Sequence, residues 1–257
     1  MLLLAYYEIA NALFPTAYMT VGTCARLGQI IGIHSNPDAV RTTVKKFSQH
    51  DDEERLRAWW ATLILDRYVT IGLDDRPFVC RTARPDDYLP MDDQVWDRGE
   101  TTFRPALALS TDMTASSNPF AHTCQAAHLL SHVLRHTNDT RPVTPEDYEA
   151  FYAEGMQLQK LVESFTYALW TVVQDAVAAA ALSRIQHPDI ADHPAYSPIS
   201  LFPAFAIALS AQLCFYDVHV CADIDHPRAK GLASQQKMQM SALDGVKAVL
   251  KPSQTAR

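Results

Sequence analysis

The segment that most restricts the fold of this chain begins at Ser48 and runs to about residue 68. Its large apolar side chains recur at i, i+3, i+4, i+7 and i+8, the spacing that places them on one face of an α-helix. These residues are Leu56, Trp59, Trp60, Leu63 and Ile64. Ser48 offers an N-cap oxygen, and Asp51 three residues later completes a variant of the capping box. The segment predicts an amphipathic helix whose aromatic face must be covered by other elements.

The composition of the chain favours helices over strands. Glycine is scarce, at 8 of 257 residues, and alanine is abundant. Few glycines argue against an all-β chain with many tight turns and against Gly-rich phosphate-binding loops. Hydrophobic residues make up 48% of the chain and charged residues 20%, which allows a sizeable core. We predict an all-α fold, a multi-helix bundle of antiparallel, partly buried helices with one long, ordered, Pro-rich loop over residues 74–119.

Further helices are predicted from apolar periodicity and from start and stop signals. Thr144, Pro145 and Asp147 mark the start of one of them, with threonine as N-cap and proline at the first helical position. That helix reaches residue 165 and either continues or breaks near Ser164. The uncharged stretch 197–216 is predicted to be a buried core helix rather than a membrane span. That buried helix covers residues 199–221, and the other predicted helices cover residues 2–13, 16–33, 103–112, 121–136, 167–186 and 232–250.

The charge and the cysteines exclude several classes of protein. A formal net charge of -7 argues against a generic basic surface for nucleic acid, because phosphate binding needs clustered lysine and arginine. The five cysteines are scattered, without a C-x-x-C pair, so they predict reduced intracellular thiols and neither a zinc ribbon nor a disulfide framework. No signal peptide is predicted. We assign residues 1–225 to one all-helical domain and residues 226–257 to a C-terminal helix and tail.

Two groups of residues are candidates for binding a metal ion. His128, His132 and His136 are spaced i, i+4 and i+8, and two imidazoles four residues apart can share an ion. No carboxylate stands where a zinc-hydrolase motif needs one, and an ordinary helix face is the alternative. The acidic run 51–54 resembles the magnesium site of helical isoprenoid synthases, but Asp175, the candidate for the second site, lacks the accompanying polar residues. We predict no metal, no cofactor and no enzymatic activity.

Charged residues surround the tryptophan pair of the predicted helix. Glu53 and Arg57 form an i, i+4 pair in the favourable order, and Asp66 and Arg67 follow on the same helix. These charges either form a structural ion-pair lattice or contact a ligand directly. Aromatic residues would line an effector pocket, although core packing also explains them. The candidate pocket residues are Trp59, Trp60, Tyr148, Phe151 and Tyr152.

The order and spacing of the motifs resemble a known family. Residues 53–60 read E-x-R-x-R-x-W-W and are followed by Asp66-Arg67, similar to the core of the fungal-specific transcription factor regulatory domain. This is the middle homology region of fungal zinc-cluster activators, including the xylanolytic activator type. Residues 25–34 resemble the family's A-R-x-A-x-x-L-G-L-H segment, residues 76–77 its G-R-P and residues 85–90 its D-x-D-x-x-x-P stretch. The matching positions are Arg26, Gly28, His34, Glu54, Arg57, Trp59, Trp60, Asp66, Arg67, Arg76, Pro77 and Pro90.

Two features depart from the family pattern. Asp75 stands where the family has the glycine of G-R-P, and the six-cysteine zinc cluster that binds DNA in this family is absent from the sequence. The matching motifs cover about residues 5–90, and the helical pattern is compatible to about residue 223. A fragment of a longer zinc-cluster protein and a regulator without a DNA-binding module both stay open.

The resemblance implies an all-α domain that gates transcription in a nuclear regulator of metabolic or secondary-metabolite genes. Its partners would be the transcription machinery or a partner regulator, and the sequence leaves open a small-molecule effector and a homodimer. We expect no membrane contact and, without the zinc cluster, no direct DNA binding by this chain. The alternatives are a small-molecule-binding helical sensor and, least favoured, the isoprenoid-type enzyme.

Overall fold

A computed structural model describes most of the chain and confirms the all-α prediction. The described residues are 1–33, 48–73, 76–99, 107–112, 118–138, 144–186, 198–220, 240–241 and 244. Within them lie seven α-helices and no β-strand. The helices are α1 (Leu2–Ala10), α2 (Phe14–Ile30), α3 (Gln49–Val69), α4 (Asp93–Asp97), α5 (Pro119–Asn138), α6 (Pro145–Gln186) and α7 (Phe202–Val220), with a 3-10 turn at Pro198–Leu201 before α7.

The two strongest helix starts are formed by capping boxes, as the sequence predicts. At α3 the Ser48 hydroxyl accepts from the N–H of Asp51, whose carboxylate accepts from the N–H of Ser48, each at 3.1 Å. At α6 Thr144 and Asp147 exchange the same pair of bonds, at 3.1 and 3.2 Å. Each box satisfies backbone donors that the first helical turn leaves without a partner. Helix α6 does not break near Ser164 but runs for 42 residues.

The short helix predicted at residues 103–112 is wrong for the described part of that stretch. Residues 107–112 pair with the preceding loop instead: Leu89 donates to the carbonyl of Leu107 at 2.7 Å, and Leu109 donates to the carbonyl of Asp87 at 2.8 Å. The helix of this region lies earlier, at α4, where the Asp92 side chain accepts from the N–H of Gln94. Backbone groups that bond across to another segment cannot also form a helix.

The first of two compact units contains Met1–His128 and Ala168–Ile207. Helix α2 packs against both α1 and α3, and its close approach to α3 depends on Gly28. A Cβ at that position would lie 3.2 Å from the Trp59 ring, so a larger side chain would push the helices apart. The core of this unit contains Trp59, Trp60, Leu63, Cys80, Leu89, Leu109, Ala121, Cys124 and Ala127.

The second unit contains Leu129–Tyr167 and Ala208–Arg257. Its core includes Val133 and Leu134 of α5, Val162 of α6 and Phe215 of α7, each at most 2% exposed. A polar contact joins α7 to α6, because the Tyr216 hydroxyl donates to the carboxylate of Glu163 at 3.2 Å. This unit is thus held by apolar burial with buried polar groups among it.

Two segments are long and apolar enough to span a membrane, judged by length and composition alone: Glu146–Leu182 and Ile199–His219. Core helices of soluble proteins have the same features. Helix α7 buries Ala204, Ala208 and Ala211 completely, whereas Phe202 and Leu213 on it are exposed. The prediction of a buried core helix at 197–216 therefore holds for the alanine side of α7 and not for the side that carries Phe202 and Leu213.

Several predictions lie outside the described residues. These are the contribution of His34 to the family motif, the departure at Asp75, and most of the helix predicted at 232–250, of which 240, 241 and 244 are helical. The division at residues 225 and 226 stays a prediction.

A substitution at Ser48 tests whether the capping box of α3 stabilises the fold. Ser48→Ala removes the oxygen that accepts from Asp51, and we expect the free energy of unfolding to fall by about 1 kcal/mol. Urea unfolding followed by tryptophan fluorescence measures it, since Trp59 and Trp60 lie on this helix. The control is Thr23→Ala, whose exposed hydroxyl bonds only to its own helix at Met19; its expected effect is within ~0.5 kcal/mol. Equal effects of the two substitutions would contradict a stabilising role for the box.

Candidate functional site

The family-like motif of α3 faces an irregular segment, residues 76–92, here called the bound loop. Asp66 accepts hydrogen bonds from the backbone N–H of Val79 at 3.3 Å and of Cys80 at 3.0 Å. Its neighbour Arg67 forms an ion pair with it and donates to the carbonyls of Cys80 at 3.0 Å and Arg81 at 3.3 Å. The pair therefore supplies partners to a stretch of backbone that belongs to no helix or strand.

The middle of the bound loop is held by a tryptophan. The indole N–H of Trp60 donates to the carbonyl of Tyr88 at 2.9 Å, and only 2% of the Trp60 side chain is exposed. Its neighbour Trp59 is also buried and packs towards Gly28 of α2. Adjacent residues on a helix point about 100° apart, so one turn of α3 contacts the loop with one ring and α2 with the other.

The far end of the bound loop is held by the charged pair near the start of α3. The carboxylate of Glu53 accepts from the N–H of Met91 at 2.9 Å and from Arg57 at 2.8 Å. Arg57 also donates to the carbonyl of Met91 and to the carboxylate of Asp93, both at 2.8 Å. Its guanidinium lies 5.1 Å from the centre of the Trp96 ring. Arg57 thus joins α3, the loop and α4 with charge-assisted hydrogen bonds.

Burial dominates the electrostatics of these side chains. It raises the pKa of Asp66, and Arg67 together with two backbone N–H groups opposes the increase. Burial likewise lowers the pKa of Arg67, opposed by Asp66, and raises the pKa of Glu53, opposed by Arg57. An ionised group without its partner would be costly here, because the protein interior replaces water poorly. The charges are consistent with a structural ion-pair lattice.

The bound loop is also fixed by contacts of its own. Arg81 forms a two-pronged salt bridge with Asp87, at 2.7 and 2.9 Å, and Asp87 also accepts from the N–H of Arg84. The side chain of Asn118 donates to the carbonyls of Pro90 at 2.9 Å and Met91 at 2.6 Å. Neither Asn118 nor the Arg81–Asp87 pair was predicted from the sequence. For the pair, the available signal was two opposite charges six residues apart in a Pro-rich stretch.

The remaining positions of the motif occupy different environments. Pro90 is buried in the bound loop, whereas Arg26, Glu54 and Pro77 are exposed. Arg76 is exposed too, and its guanidinium lies 4.8 Å from the centre of the Tyr18 ring of α2. The motif thus combines buried groups that hold the loop with exposed groups at its borders.

The predicted metal candidates do not assemble into a site. No group of three or more histidine, cysteine, aspartate or glutamate side chains in the described part of the chain could hold a metal ion. Of the histidines on α5, His132 lies 3.0 Å from Arg135, and His136 is buried against His219 at 3.1 Å. Glu53 in the acidic run bonds the loop and Asp51 caps α3. Because this finding covers only the described residues, the absence of a bound metal ion stays a prediction.

The candidate pocket residues divide between the two units. Trp59 and Trp60 belong to the core of the first. Tyr148, Phe151 and Tyr152 belong to the second, where the Phe151 ring lies 5.5 Å from that of Tyr152 and Tyr148 lies 6.3 Å from it. The packing of each set within its own unit accounts for its burial, and an effector pocket stays a prediction.

The cysteines of the described residues are free thiols and poor nucleophiles. They are Cys24, Cys80, Cys124 and Cys214. Burial raises the pKa of Cys80 to about 12 and raises that of Cys124 as well. The reactive form of cysteine is the thiolate, so the raised pKa disfavours the reactive form of these side chains.

Comparison with known proteins supports the resemblance seen in the motif. The family model described as the fungal specific transcription factor domain matches residues 1–136, which is more than half of the chain. This chain belongs to that family. It is also 46% identical over 56 residues to "Transcription factor BOA15" of Botryotinia fuckeliana (strain B05.10). That match covers 22% of this chain and 31% of the relative, and no solved structure matches.

Membership of the family makes residues 1–136 a fungal specific transcription factor domain, and the contacts of α3 give its motif a physical reason. Glu53, Arg57, Trp60, Asp66 and Arg67 all bond to the chain's own backbone. A helix with these residues at these positions can order a long loop that lacks regular hydrogen bonding. These ion pairs and hydrogen bonds account for the positions of the five side chains without a bound ligand.

Truncation of α3 side chains tests whether the motif stabilises the fold. Trp60→Ala should lower the free energy of unfolding by about 3–5 kcal/mol through lost burial and a cavity. Arg57→Ala should cost less, but more than the ~0.2–1 kcal/mol of a surface pair, because Glu53 and Met91 lose a partner. Urea unfolding monitored by circular dichroism gives both values.

A conservative control separates burial from hydrogen bonding. Trp60→Phe keeps most of the buried ring and removes only the donor to Tyr88, so its expected cost of about 1–3 kcal/mol lies below that of Trp60→Ala. If Trp60→Ala instead changed stability by less than ~0.5 kcal/mol and abolished regulatory activity, Trp60 would be a contact surface. The structural interpretation of the motif would then be wrong.

Proposed function

We propose that this chain regulates transcription in the nucleus through protein partners, without contacting DNA or catalysing a reaction itself. The observation that carries the proposal is the outer face of α1, which consists of Leu3, Tyr6 and Tyr7. These side chains are 86%, 65% and 60% exposed and follow the spacing i, i+3, i+4 of one helix face. The acidic residue of α1, Glu8, is buried on the opposite side. Exposed apolar faces of this kind mark contact sites for other proteins.

The chemistry of this face fits an apolar helix of a protein partner rather than DNA. Phosphate recognition needs lysine or arginine, and α1 contains neither. Two exposed tyrosines beside a leucine supply rigid, amphipathic contact area of the type that is enriched in protein interfaces. The transcription machinery or a partner regulator would provide the partner. The genes under control and an effector molecule stay predictions by family resemblance.

The absence of catalysis is supported by how the polar residues of α3 are used. Each of the five that hold the bound loop is already bonded to backbone, so none is left as a general acid, general base or nucleophile. The acidic run that resembles a magnesium site is divided between capping and loop binding.

A transcription reporter tests the proposed mode of action. The full chain is fused to an unrelated DNA-binding domain, and reporter output is compared with that of the DNA-binding domain alone. We expect the fusion to change output. The variant Tyr6→Glu/Tyr7→Glu should reduce that change more than about tenfold, because a carboxylate in an apolar interface loses its hydration.

The matched control is Gln174→Glu/Ala181→Glu, which introduces the same two negative charges at exposed positions of α6. It should leave the reporter response unchanged, and both variants should unfold at the same urea concentration as the wild type. The role of α1 would be refuted if the wild-type fusion gave the same reporter output as the DNA-binding domain alone. It would also be refuted if the control variant lost as much of the response as Tyr6→Glu/Tyr7→Glu.

DNA binding by the chain itself is tested separately. With a net charge of -7, we expect no sequence-dependent complex in a mobility-shift assay at low salt, where electrostatic binding is strongest. The assay uses a library of DNA sequences. As a control, a zinc-cluster protein of known specificity is tested on the same library. A single tight complex that selects one sequence from the library would overturn this part of the proposal.

A further inference from the structure

Two buried histidines of the second unit contact each other. The Nε2 atom of His136 on α5 lies 3.1 Å from the Nε2 atom of His219 on α7, although the two residues are 83 positions apart in the chain. His136 is 5% exposed and His219 only 1%. The pair therefore lies away from bulk water, and a proton that it gains or loses must be accommodated by its protein surroundings.

The geometry restricts how many protons the pair can hold. A hydrogen bond between two Nε2 atoms needs one ring to donate and the other to accept. The neutral pair meets this condition, and so does the pair with one added proton, in which an imidazolium donates to a neutral ring. A second added proton would put an N–H on both nitrogens at 3.1 Å, where two like charges repel.

The surroundings of the pair are aromatic and tightly packed. His136 stacks on Phe151 with ring centres 4.3 Å apart, and His219 lies 4.4 Å from the centre of Phe215. Gly155 passes so close that a Cβ there would lie 3.1 Å from His136 and 3.3 Å from His219. The rings have little room to separate while the helices stay in place.

Among the described residues, the charged and titratable groups near the pair come from α5, α6 and α7. From α6, the carboxylate of Glu154 lies 3.8 Å from Nδ1 of His136, but its side chain is 71% exposed. The Tyr152 ring lies 6.2 Å from His219. From α5, the neighbours are His132 and Arg135, which contact each other at 3.0 Å, and from α7 the neighbour is Asp217, which is exposed. On the His219 side, Nδ1 has no hydrogen-bond partner among the described residues.

We infer that His136 and His219 form a proton-binding pair that accepts at most one proton while α5, α6 and α7 stay packed, so that acidification loosens the second unit. This inference goes beyond the proposed function and does not depend on it. It makes the unit respond to pH through one buried contact, whereas α3 and its bound loop lie in the other unit.

The direction of the effect follows from proton linkage. Burial, followed by the charge of His136, lowers the pKa of His219 from 6.5 to about 3. In the unfolded chain this histidine takes up a proton near pH 6.5, whereas in the folded chain it stays neutral. Above pH 6.5 the ring is neutral in both states, and the folded state keeps its full stability. Its advantage is lost progressively as the pH falls from 6.5 towards 3, by about tenfold in the unfolding equilibrium constant per pH unit.

Nuclear magnetic resonance of the full wild-type chain tests the pair without any substitution. Long-range 1H–15N spectra distinguish donor and acceptor ring nitrogens and follow each histidine between pH 7.5 and 5. We expect His219 to keep the signals of a neutral ring throughout this pH range. Independent titration of both His136 and His219 near pH 6.5 in the folded chain would overturn the inference.

Hydrogen exchange of residues 208–219 in α7 measures the consequence for packing. In the wild type, exchange through opening of this helix should increase about 20- to 30-fold between pH 7 and 5, after correction for the intrinsic exchange rate. His219→Phe, which keeps a ring but cannot be protonated, should remove that increase. The control His50→Gln, at an exposed position in the other unit, should keep it. Equal pH dependence of the wild type and a folded His219→Phe would also overturn the inference.

Discussion

The structure of the first unit depends on hydrogen bonds between side chains of α3 and the backbone of the bound loop. A loop of this kind cannot satisfy its N–H and C=O groups by itself, and burial without partners would cost about 1–3 kcal/mol for each group. Asp66 and Arg67 hold one end, Trp60 the middle, and Glu53 with Arg57 the other end. Loss of one such side chain would therefore leave N–H or C=O groups of the loop without a hydrogen-bond partner, because water does not easily reach them.

This arrangement explains why the family motif mixes tryptophan with charged residues. The aromatic rings supply buried area, and the charged groups supply donors and acceptors at fixed heights along the helix. Glu53 and Arg57 are one turn apart and meet the loop at Met91, while Asp66 and Arg67 lie more than two turns further and meet it at Cys80. The loop therefore runs antiparallel to α3, and the helix sets the positions at which it is held.

The second unit uses a different kind of polar contact. There two side chains bond to each other, as in the buried pair of His136 with His219 and in the bond from the buried Tyr216 to the exposed Glu163. A histidine pair makes such a core sensitive to protons, because histidine is the side chain whose unperturbed pKa lies closest to neutral pH.

Most of the helices, two of their caps and the family could be predicted from the sequence. Periodicity gave α3, Ser48 with Asp51 and Thr144 with Asp147 gave two helix starts, and the spacing of Glu53 and Arg57 gave their contact. Tertiary structure alone decided that Trp60 bonds to Tyr88 and that His136 meets His219, and it replaced the helix predicted at 103–112 by pairing with residues 87–89. The reason is physical. Local hydrogen bonds and helix periodicity leave a pattern in neighbouring residues, but a backbone carbonyl is the same at every position, and a contact across 83 residues exists only after the chain has folded.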